Sequence, residues 1–489
     1  MFMFVPIIFI GLLCCRALIP SFVCGWIIVG SLFFYGFHGW KHVPLLVGSI
    51  CLNYLVGLGI EKETKNSWRS FLLVLGVSLN LGVLALFKYA DFIFGSLGFG
   101  GGFGLALPLA ISFFTFQQIA YLVDLKRGIL TGPSFGNYAL YISFFPQLIA
   151  GPIVRCQQII PQLKNGLLGK LTEPAFWTGF CFFAIGLFKN SCLADGIRPL
   201  AEPIFFASAQ GVELTIIEAW IAACSFGLQI YFDFSAYSDM AIGLGFLCGI
   251  RLPINFDSPY KATSIVDFWR RWHITLSEFL RDYLYKPLGG NRYGVMRSVS
   301  NALIVMVLGG LWHGAAWTFV VWGLVHGLYI AINHIFRAFF RPSSDISGRS
   351  FLRAFLGRSI TFIAVSAAWV FFRSEEFGSA ISMVQSMFGI NGIDLPRTLD
   401  WGIKGNFIRF EGLLNNEVAD ITLIPFLFLL LCVVWILPNS ANLLRLRHAF
   451  ELPVKNPSRK IVFFCGILLF WGIKVSFESS THEFLYFRF

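Results

Sequence analysis

The chain has 489 residues, of which 56% are hydrophobic, 17% aromatic and only 13% charged, and its mean hydropathy is +0.72. A soluble domain carries about 25% charged residues, so this composition excludes a folded soluble protein and predicts one that crosses a membrane several times. The 37 Lys and Arg residues against 26 Asp and Glu give a net charge of +11. In such a protein this excess is typical of cytoplasmic loops near anionic lipid, and it does not indicate nucleic-acid binding.

Apolar stretches follow one another along the chain from its first residue. Met1 to Leu13 lacks the positively charged start of a cleavable signal peptide, so it predicts a first membrane helix that is retained. Because a span needs about 20 residues and several stretches are shorter, we predict an all-α, polytopic membrane protein with about eleven transmembrane helices plus re-entrant or interfacial helices. The further stretches lie near 20–37, 43–60, 70–94, 105–123, 136–153, 172–193, 214–232, 236–250, 298–310, 314–338, 354–373, 420–438 and 460–478.

The loops between these stretches are short, and the chain predicts a single integral membrane domain over 1–489. Basic loops at 155–170, 337–358 and 445–460 are expected on the cytoplasmic side by the positive-inside rule. The 11 cysteines form no CxxC pair and no Cys/His cluster, so we expect neither a structural metal nor a disulfide framework. We expect this domain to comprise N-terminal helices at about 1–100, a motif-bearing core at about 105–340 and C-terminal helices at about 350–489.

The densest group of charges within apolar sequence lies in 255–292, NFDSPYKATSIVDFWRRWHITLSEFLRDYLYKPLGGNR. Ionisable groups at membrane depth are costly, so these residues are candidates for function. On a helix, Asp267 lies four residues from Arg271 and Arg270 lies three from His273, which would put a polar stripe opposite aromatic residues such as Trp272. This pattern is typical of a helix beside a hydrated cavity, and equally of a cytoplasmic amphipathic helix whose arginines reach into water.

Two histidines lie in the segment 308–327, LGGLWHGAAWTFVVWGLVHG. His313 follows Trp312 and is flanked by glycines, which let another chain approach closely and favour a site there. His326 follows 13 residues later, and on one straight helix the two side chains would project from roughly opposite faces, so we interpret His326 as a packing residue. A buried, neutral histidine can accept a proton from a hydroxyl, so His313 and His273 could flank one tunnel and serve acyl transfer to an alcohol.

A third polar cluster lies in 227–245, GLQIYFDFSAYSDMAIGLG. Asp233, Asp239 and Tyr237 would form a polar wall of the same cavity, or alternatively a hydrogen-bonded network at a helix break, which is the interpretation we favour. The segment 144–155, FFPQLIAGPIVR, predicts a helix break and a turn.

Taken together, the long motifs resemble the bacterial membrane-bound O-acyltransferase (MBOAT) family, specifically its alginate O-acetyltransferase (AlgI-like) branch. The resemblance extends over nearly the whole chain, and Ala236 stands where members often carry Gly. The matching segments, in the order of that branch, are LPLAISFFTFQQIAYLVDLKRG (107–128), SFFPQLIAGPIVR (143–155), YFDFSAYSDMAIGLG (231–245), INFDSPY (254–260), DFWRRWHITLSEFLRDYLYKPLGGNR (267–292), LGGLWHGAAWTFVVWGLVHG (308–327) and EFLYFRF (483–489).

The resemblance implies a ring of tilted helices around a central tunnel, with His313 as the catalytic histidine and His273 as its partner in the site. It implies acetyl-CoA as the cytoplasmic acyl donor, no metal, and delivery of acetyl to hydroxyls of an alginate-like or other exopolysaccharide, directly or through a partner acetyltransferase of a secretion complex. It also implies the bacterial cytoplasmic (inner) membrane. The supporting tunnel residues would be Trp312, Asp267, Arg270, Arg271, Trp272, Asp233, Asp239 and Tyr237.

Three other interpretations stay open. A relative of the D-alanyl transfer protein of teichoic acid modification would share the fold and take its acyl group from a carrier protein's phosphopantetheine. A transporter could line a permeation path with the same residues, although no inverted repeat is visible and acidic residues are sparse in the spans. A non-catalytic acyl conduit or scaffold of a polysaccharide secretion complex is the remaining possibility, and it alone would survive if His313 were dispensable.

Overall fold

The computed structural model describes residues 3–37, 39–99, 102–149, 151–339, 350–394, 408–409, 420–446 and 455–478. Most of these residues lie in helices, which confirms the predicted all-α class. Two strands of two residues each, Ile393–Asp394 and Ile408–Arg409, pair in parallel.

Helices of very different lengths follow one another along the chain. The α-helices are α1 (Phe4–Leu18), α2 (Val23–Phe37), α3 (Val43–Lys62), α4 (Asn66–Leu84), α5 (Ala90–Ser96), α6 (Ile111–Lys126), α7 (Phe135–Ser143), α8 (Phe145–Leu148), α9 (Cys156–Lys164), α10 (Glu173–Phe188), α11 (Asp195–Ala209), α12 (Ile216–Leu247), α13 (Ile265–Trp269), α14 (Ile274–Leu280), α15 (Gly294–His313), α16 (Trp317–Phe339), α17 (Ser350–Arg373), α18 (Phe377–Met387), α19 (Ile424–Ile436), α20 (Ser440–Leu443) and α21 (Arg459–Glu478). Short 3₁₀ turns lie at Pro20–Phe22, Trp40–His42, Pro259–Lys261 and Ile421–Leu423, and π-turns lie at Ala85–Tyr89, Lys189–Ala194 and Arg281–Tyr285.

Eight helical segments within the described residues are long and apolar enough to cross a membrane, and α1 and Ile421–Ile436 are shorter apolar helices. The protein is therefore a multi-pass membrane protein. About eleven crossings were expected. The number of long apolar helices is lower because some predicted stretches form helices shorter than a span, and because two stretches, 214–232 and 236–250, form the single helix α12. The stretch 136–153 is broken, as its motif predicts, because α7 ends at Ser143 and α8 begins with Pro146 in its first turn. The eight segments are Pro20–Phe37, Trp40–Lys62, Asn66–Ser96, Glu173–Ala209, Gly294–His313, Trp317–Phe339, Phe351–Arg373 and Arg459–Glu478.

The chain divides into two compact units. Unit 1 comprises Met1–Leu187, Tyr237–Asn255 and Ser440–Phe470. Unit 2 comprises Phe188–Ala236, Phe256–Asn439 and Trp471–Phe489. Both histidine segments singled out above belong to unit 2, while a single domain over 1–489 stays a prediction.

Helices α3, α4 and α6 of unit 1 are joined by buried amides. Asn53 Nδ2 donates to Gln118 Oε1 at 2.6 Å, and Asn80 Nδ2 donates to Asn53 Oδ1 at 2.6 Å. The hydroxyl of Ser49 also donates to Gln118 Oε1, at 2.7 Å. Between membrane helices, where apolar burial discriminates little between protein and lipid, such hydrogen bonds specify which helices pack together.

In unit 2, α15 and α16 are connected by three residues and fold back along each other, with glycines at their contact. A Cβ atom on Gly310 would lie 3.1 Å from the Cα of Gly323, and one on Gly323 would lie 3.1 Å from the Cα of Val307. Small residues therefore allow the two backbones to approach closely, as in other tightly packed membrane helices.

Because these blocking atoms belong to the backbone and cannot rotate away, Gly310→Ala is expected to destabilise the protein. Overpacking costs about 1–3 kcal/mol, so the midpoint of thermal unfolding of the detergent-purified protein should fall by several degrees. Gly309→Ala is the matched control, because its Cβ would meet only the flexible Cδ1 atom of Leu280 at 3.3 Å. Equal midpoints for the two variants would contradict this account of the α15–α16 contact.

Candidate active site

The segment 255–292 is not one continuous helix, because it is broken at His273. Helix α13 ends at Trp269 and α14 begins at Ile274, and His273 has φ +43°, a left-handed conformation that is uncommon for residues other than glycine. The prediction of a continuous polar stripe along this segment is therefore wrong. At this break the His273 side chain is completely buried, at 0% exposure.

The structure brings His273 and His313 together in unit 2. Their ring centroids are 6.4 Å apart, and both side chains are buried. The ring of Phe234 lies 4.7 Å from His273, while Trp322 and Phe372 lie 5.2 and 5.3 Å from His313. Two imidazoles thus share an enclosure built largely of aromatic rings.

Two of the predicted tryptophans belong to the same enclosure. The Trp312 ring lies 4.9 Å from His313 and 6.2 Å from His273. Trp272 lies 5.1 Å from Phe256, which in turn lies 6.5 Å from His273.

Burial lowers the pKa of His273 well below its ordinary value. The imidazole of His273 is therefore neutral at physiological pH and can exchange a proton with a hydroxyl.

Asp267 and Arg271 fasten the turn that precedes His273. Arg271 Nε donates to Asp267 Oδ1 at 2.9 Å, and Arg271 Nη1 donates to the backbone carbonyl of Asp257 at 3.3 Å. Asp267 and Arg271, four residues apart, therefore form an ion pair, which connects α13 to the short segment that leads to His273. Arg270 is exposed.

The carboxylates of α12 accept hydrogen bonds from residues that are distant in the sequence. Asp233, in unit 2, accepts a hydrogen bond from Asn190 Nδ2 at 2.7 Å. Asp239 and Tyr237 belong to unit 1, where Asp239 accepts from the hydroxyl of Ser440 and Tyr237 lines an apolar cleft. Hydrogen-bonded partners thus support the structural interpretation of both aspartates.

His326 joins the aromatic enclosure, which sequence reasoning missed. The expectation of one straight helix through both histidines is wrong, because α15 ends at His313 and α16 begins at Trp317. The chain reverses between them, so the Trp322 ring lies 5.2 Å from His313 and 4.8 Å from His326. The signal in the sequence for the end of α15 was Gly314, because glycine is common just after a helix. In the structure a Cβ added at Gly314 would collide with the ring of Phe319.

The part of the chain that carries both histidine segments also matches a known family. Residues 107–371 match the model of MBOAT, the membrane-bound O-acyltransferase family. The chain belongs to this family. It is 38% identical to the peptidoglycan O-acetyltransferase of Helicobacter pylori, over 100% of this chain and 96% of that protein.

More partial matches point to the same chemistry. The chain is 38% identical to the probable alginate O-acetylase AlgI of Azotobacter vinelandii, over 72% of this chain and 71% of that protein. It is 29% identical to the teichoic acid D-alanyltransferase of Streptococcus thermophilus, over 46% of this chain and 56% of that protein. Family membership confirms the predicted resemblance, and the protein is a membrane-embedded O-acyltransferase that uses an acyl donor. Within the described residues, no group of three or more His, Cys, Asp or Glu side chains could hold a metal ion.

Proposed function

We propose that this acyltransferase moves acetyl groups from cytoplasmic acetyl-CoA to hydroxyls of a secreted or cell-wall polysaccharide, directly or through a partner acetyltransferase. The observation that carries the proposal is the pair of buried histidines, His273 and His313, whose rings lie 6.4 Å apart in an aromatic enclosure. Acyl transfer to an alcohol needs a base that is neutral before the reaction, and an apolar enclosure favours the neutral imidazole.

In this proposal His313 is the general base and His273 its neighbour that orients the reacting groups. The acceptor hydroxyl oxygen bonds to the thioester carbonyl carbon while its proton passes to His313. The carbon–sulfur bond of the resulting tetrahedral intermediate then breaks, and the leaving thiolate takes the proton from His313. Trp272 and Trp312 exclude water from this reaction, which would otherwise hydrolyse the thioester.

The acetyl group is favoured over D-alanine by the extent of the similarity. The chain aligns in full with a peptidoglycan O-acetyltransferase but over less than half of its length with a teichoic acid D-alanyltransferase. For the same reason we take peptidoglycan as the first acceptor to test and alginate-like exopolysaccharide as the second. Such acceptors are made at the bacterial cytoplasmic membrane, which is the location we propose.

The test compares cells that lack the protein with cells that express it, and quantifies the ester-linked acetate and D-alanine released by mild alkali from the peptidoglycan and exopolysaccharide fractions. Restoration of bound acetate in one fraction is expected. Restoration of D-alanine instead would favour the teichoic acid alternative, and no change in either ester would contradict the proposal.

A further inference from the structure

Two buried N–H groups on α16 have no hydrogen-bond acceptor among the residues that the structure describes, namely the indole Nε1 of Trp322 and the imidazole Nε2 of His326. Both side chains are enclosed, at 1% and 0% exposure. Their surroundings are aromatic rings, whose faces are only weak acceptors. Because buried polar groups in folded proteins are nearly always paired, unpaired donors of this kind indicate the position of a ligand acceptor.

The hydrogen bond from Trp269 determines which atom of His326 carries the proton. The indole Nε1 of Trp269 donates to His326 Nδ1 at 3.3 Å. Since Nδ1 acts as the acceptor, the neutral ring carries its proton on Nε2. The unpaired nitrogen of His326 is therefore a donor, like the indole nitrogen of Trp322.

Trp322 lies beside the proposed base, and His326 lies beside Trp322. Trp322 and His326 are four residues apart and therefore on the same face of α16, with ring centroids 4.8 Å apart. The ring of His313 contacts Trp322 from the end of α15, at 5.2 Å. Trp322 therefore contacts both histidines, and this links the two donors of α16 to the proposed base.

We propose that Trp322 and His326 bind the carbonyl oxygen of the acyl group, an inference that rests on the proposed function of His313. When the acceptor hydroxyl oxygen bonds to the carbonyl carbon, the electron pair of the C=O double bond moves to the carbonyl oxygen. The two N–H groups stabilise its negative charge. The pair returns when the carbon–sulfur bond breaks, and the thiolate takes the proton from His313. Donors that strengthen their hydrogen bonds as charge develops accelerate the reaction without tightening substrate binding.

The test measures thiol release from acetyl-CoA by membrane vesicles that contain the full chain and are supplied with peptidoglycan. Trp322→Phe retains an aromatic ring but removes the N–H, so kcat should fall about 100-fold with an unchanged KM for acetyl-CoA. His326→Phe should behave alike, whereas His326→Gln, whose amide can place an N–H near Nε2, should recover part of the rate. Trp435→Phe is the matched control. The indole N–H of Trp435 is also buried and has no acceptor in the described part of the chain, but its ring contacts Phe355 and Phe362.

The outcomes separate this inference from the function on which it rests. A normal rate for Trp322→Phe and His326→Phe, or a raised KM with normal kcat, would overturn the donor pair while the loss of activity in His313→Ala still supported the function. Full activity of His313→Ala would instead overturn the proposed function. Chromatography of each purified variant identifies misfolding. If the phenylalanine variants misfold, a partly recovered rate in His326→Gln supports the donor role, and a rate that is not recovered contradicts it.

Discussion

Replacement of His313 by alanine is expected to abolish measurable acetylation while the protein remains in the membrane. A positioned general base contributes about 10²–10⁴-fold to a rate, and His313 is the histidine that lies between Trp312, Trp322 and His273 in the enclosure. Without its imidazole, the acceptor hydroxyl would have to attack before losing its proton. Polysaccharide-bound acetate, normalised to the amount of protein on a blot of the membranes, measures the effect.

His334→Ala is the control for this substitution. His334 lies on the same helical hairpin, and its Nδ1 shares a hydrogen bond with the hydroxyl of Ser298 at 3.3 Å. The loss of this side chain should leave acetylation near the wild-type level, because His334 has no part in the proposed reaction. Persistence of acetate in His313→Ala would make His313 a packing residue and favour an acyl conduit or scaffold.

Composition and local spacing were sufficient for the features that depend on near neighbours. The low charge content predicted the membrane class, and Pro146 predicted the break between α7 and α8, since proline is favoured in the first turn of a helix. The spacing of Asp267 and Arg271 placed the two residues on one side of a helical turn, and in the structure they form an ion pair.

The arrangement of the site depended on packing between distant segments, which spacing does not encode. The left-handed conformation of His273 lies between α13 and α14, where its ring packs against the distant Phe234, and the local sequence does not predict it. Likewise, the chain reverses after His313 because the backbones at Gly310 and Gly323 approach closely. Periodicity alone therefore extended both helices too far, and it did not show that Trp322 would contact both His313 and His326.

The aspartates of α12 show the same limit. Asp233 accepts a hydrogen bond from Asn190, 43 residues away, and Asp239 accepts one from Ser440, 201 residues away. Apolar sequence around a carboxylate shows that it is buried and therefore needs a partner. It does not show whether that partner is a substrate or another part of the chain.

Substitution of His273 is expected to have the second largest effect, and the choice of residue separates its two roles. His273→Ala removes the imidazole 6.4 Å from His313 and also places alanine at φ +43°, which alanine tolerates poorly. His273→Asn removes the imidazole as well, but asparagine adopts the left-handed conformation more readily. We expect both variants to lose acetylation about 100-fold, and only His273→Ala to unfold at a clearly lower temperature.

The pH dependence of stability provides an independent test of the burial of His273. Its pKa is lowered in the folded protein, whereas the unfolded chain binds a proton below about pH 6.5. The unfolded state therefore holds more protons than the folded state as the pH falls below about 6.5, and stability decreases there. His273→Asn lacks this group, so its unfolding temperature should decrease less between pH 7 and 5 than that of the wild type. Parallel pH profiles would contradict a neutral, buried His273, and an active His273→Asn would show that the site needs its backbone conformation and not its imidazole.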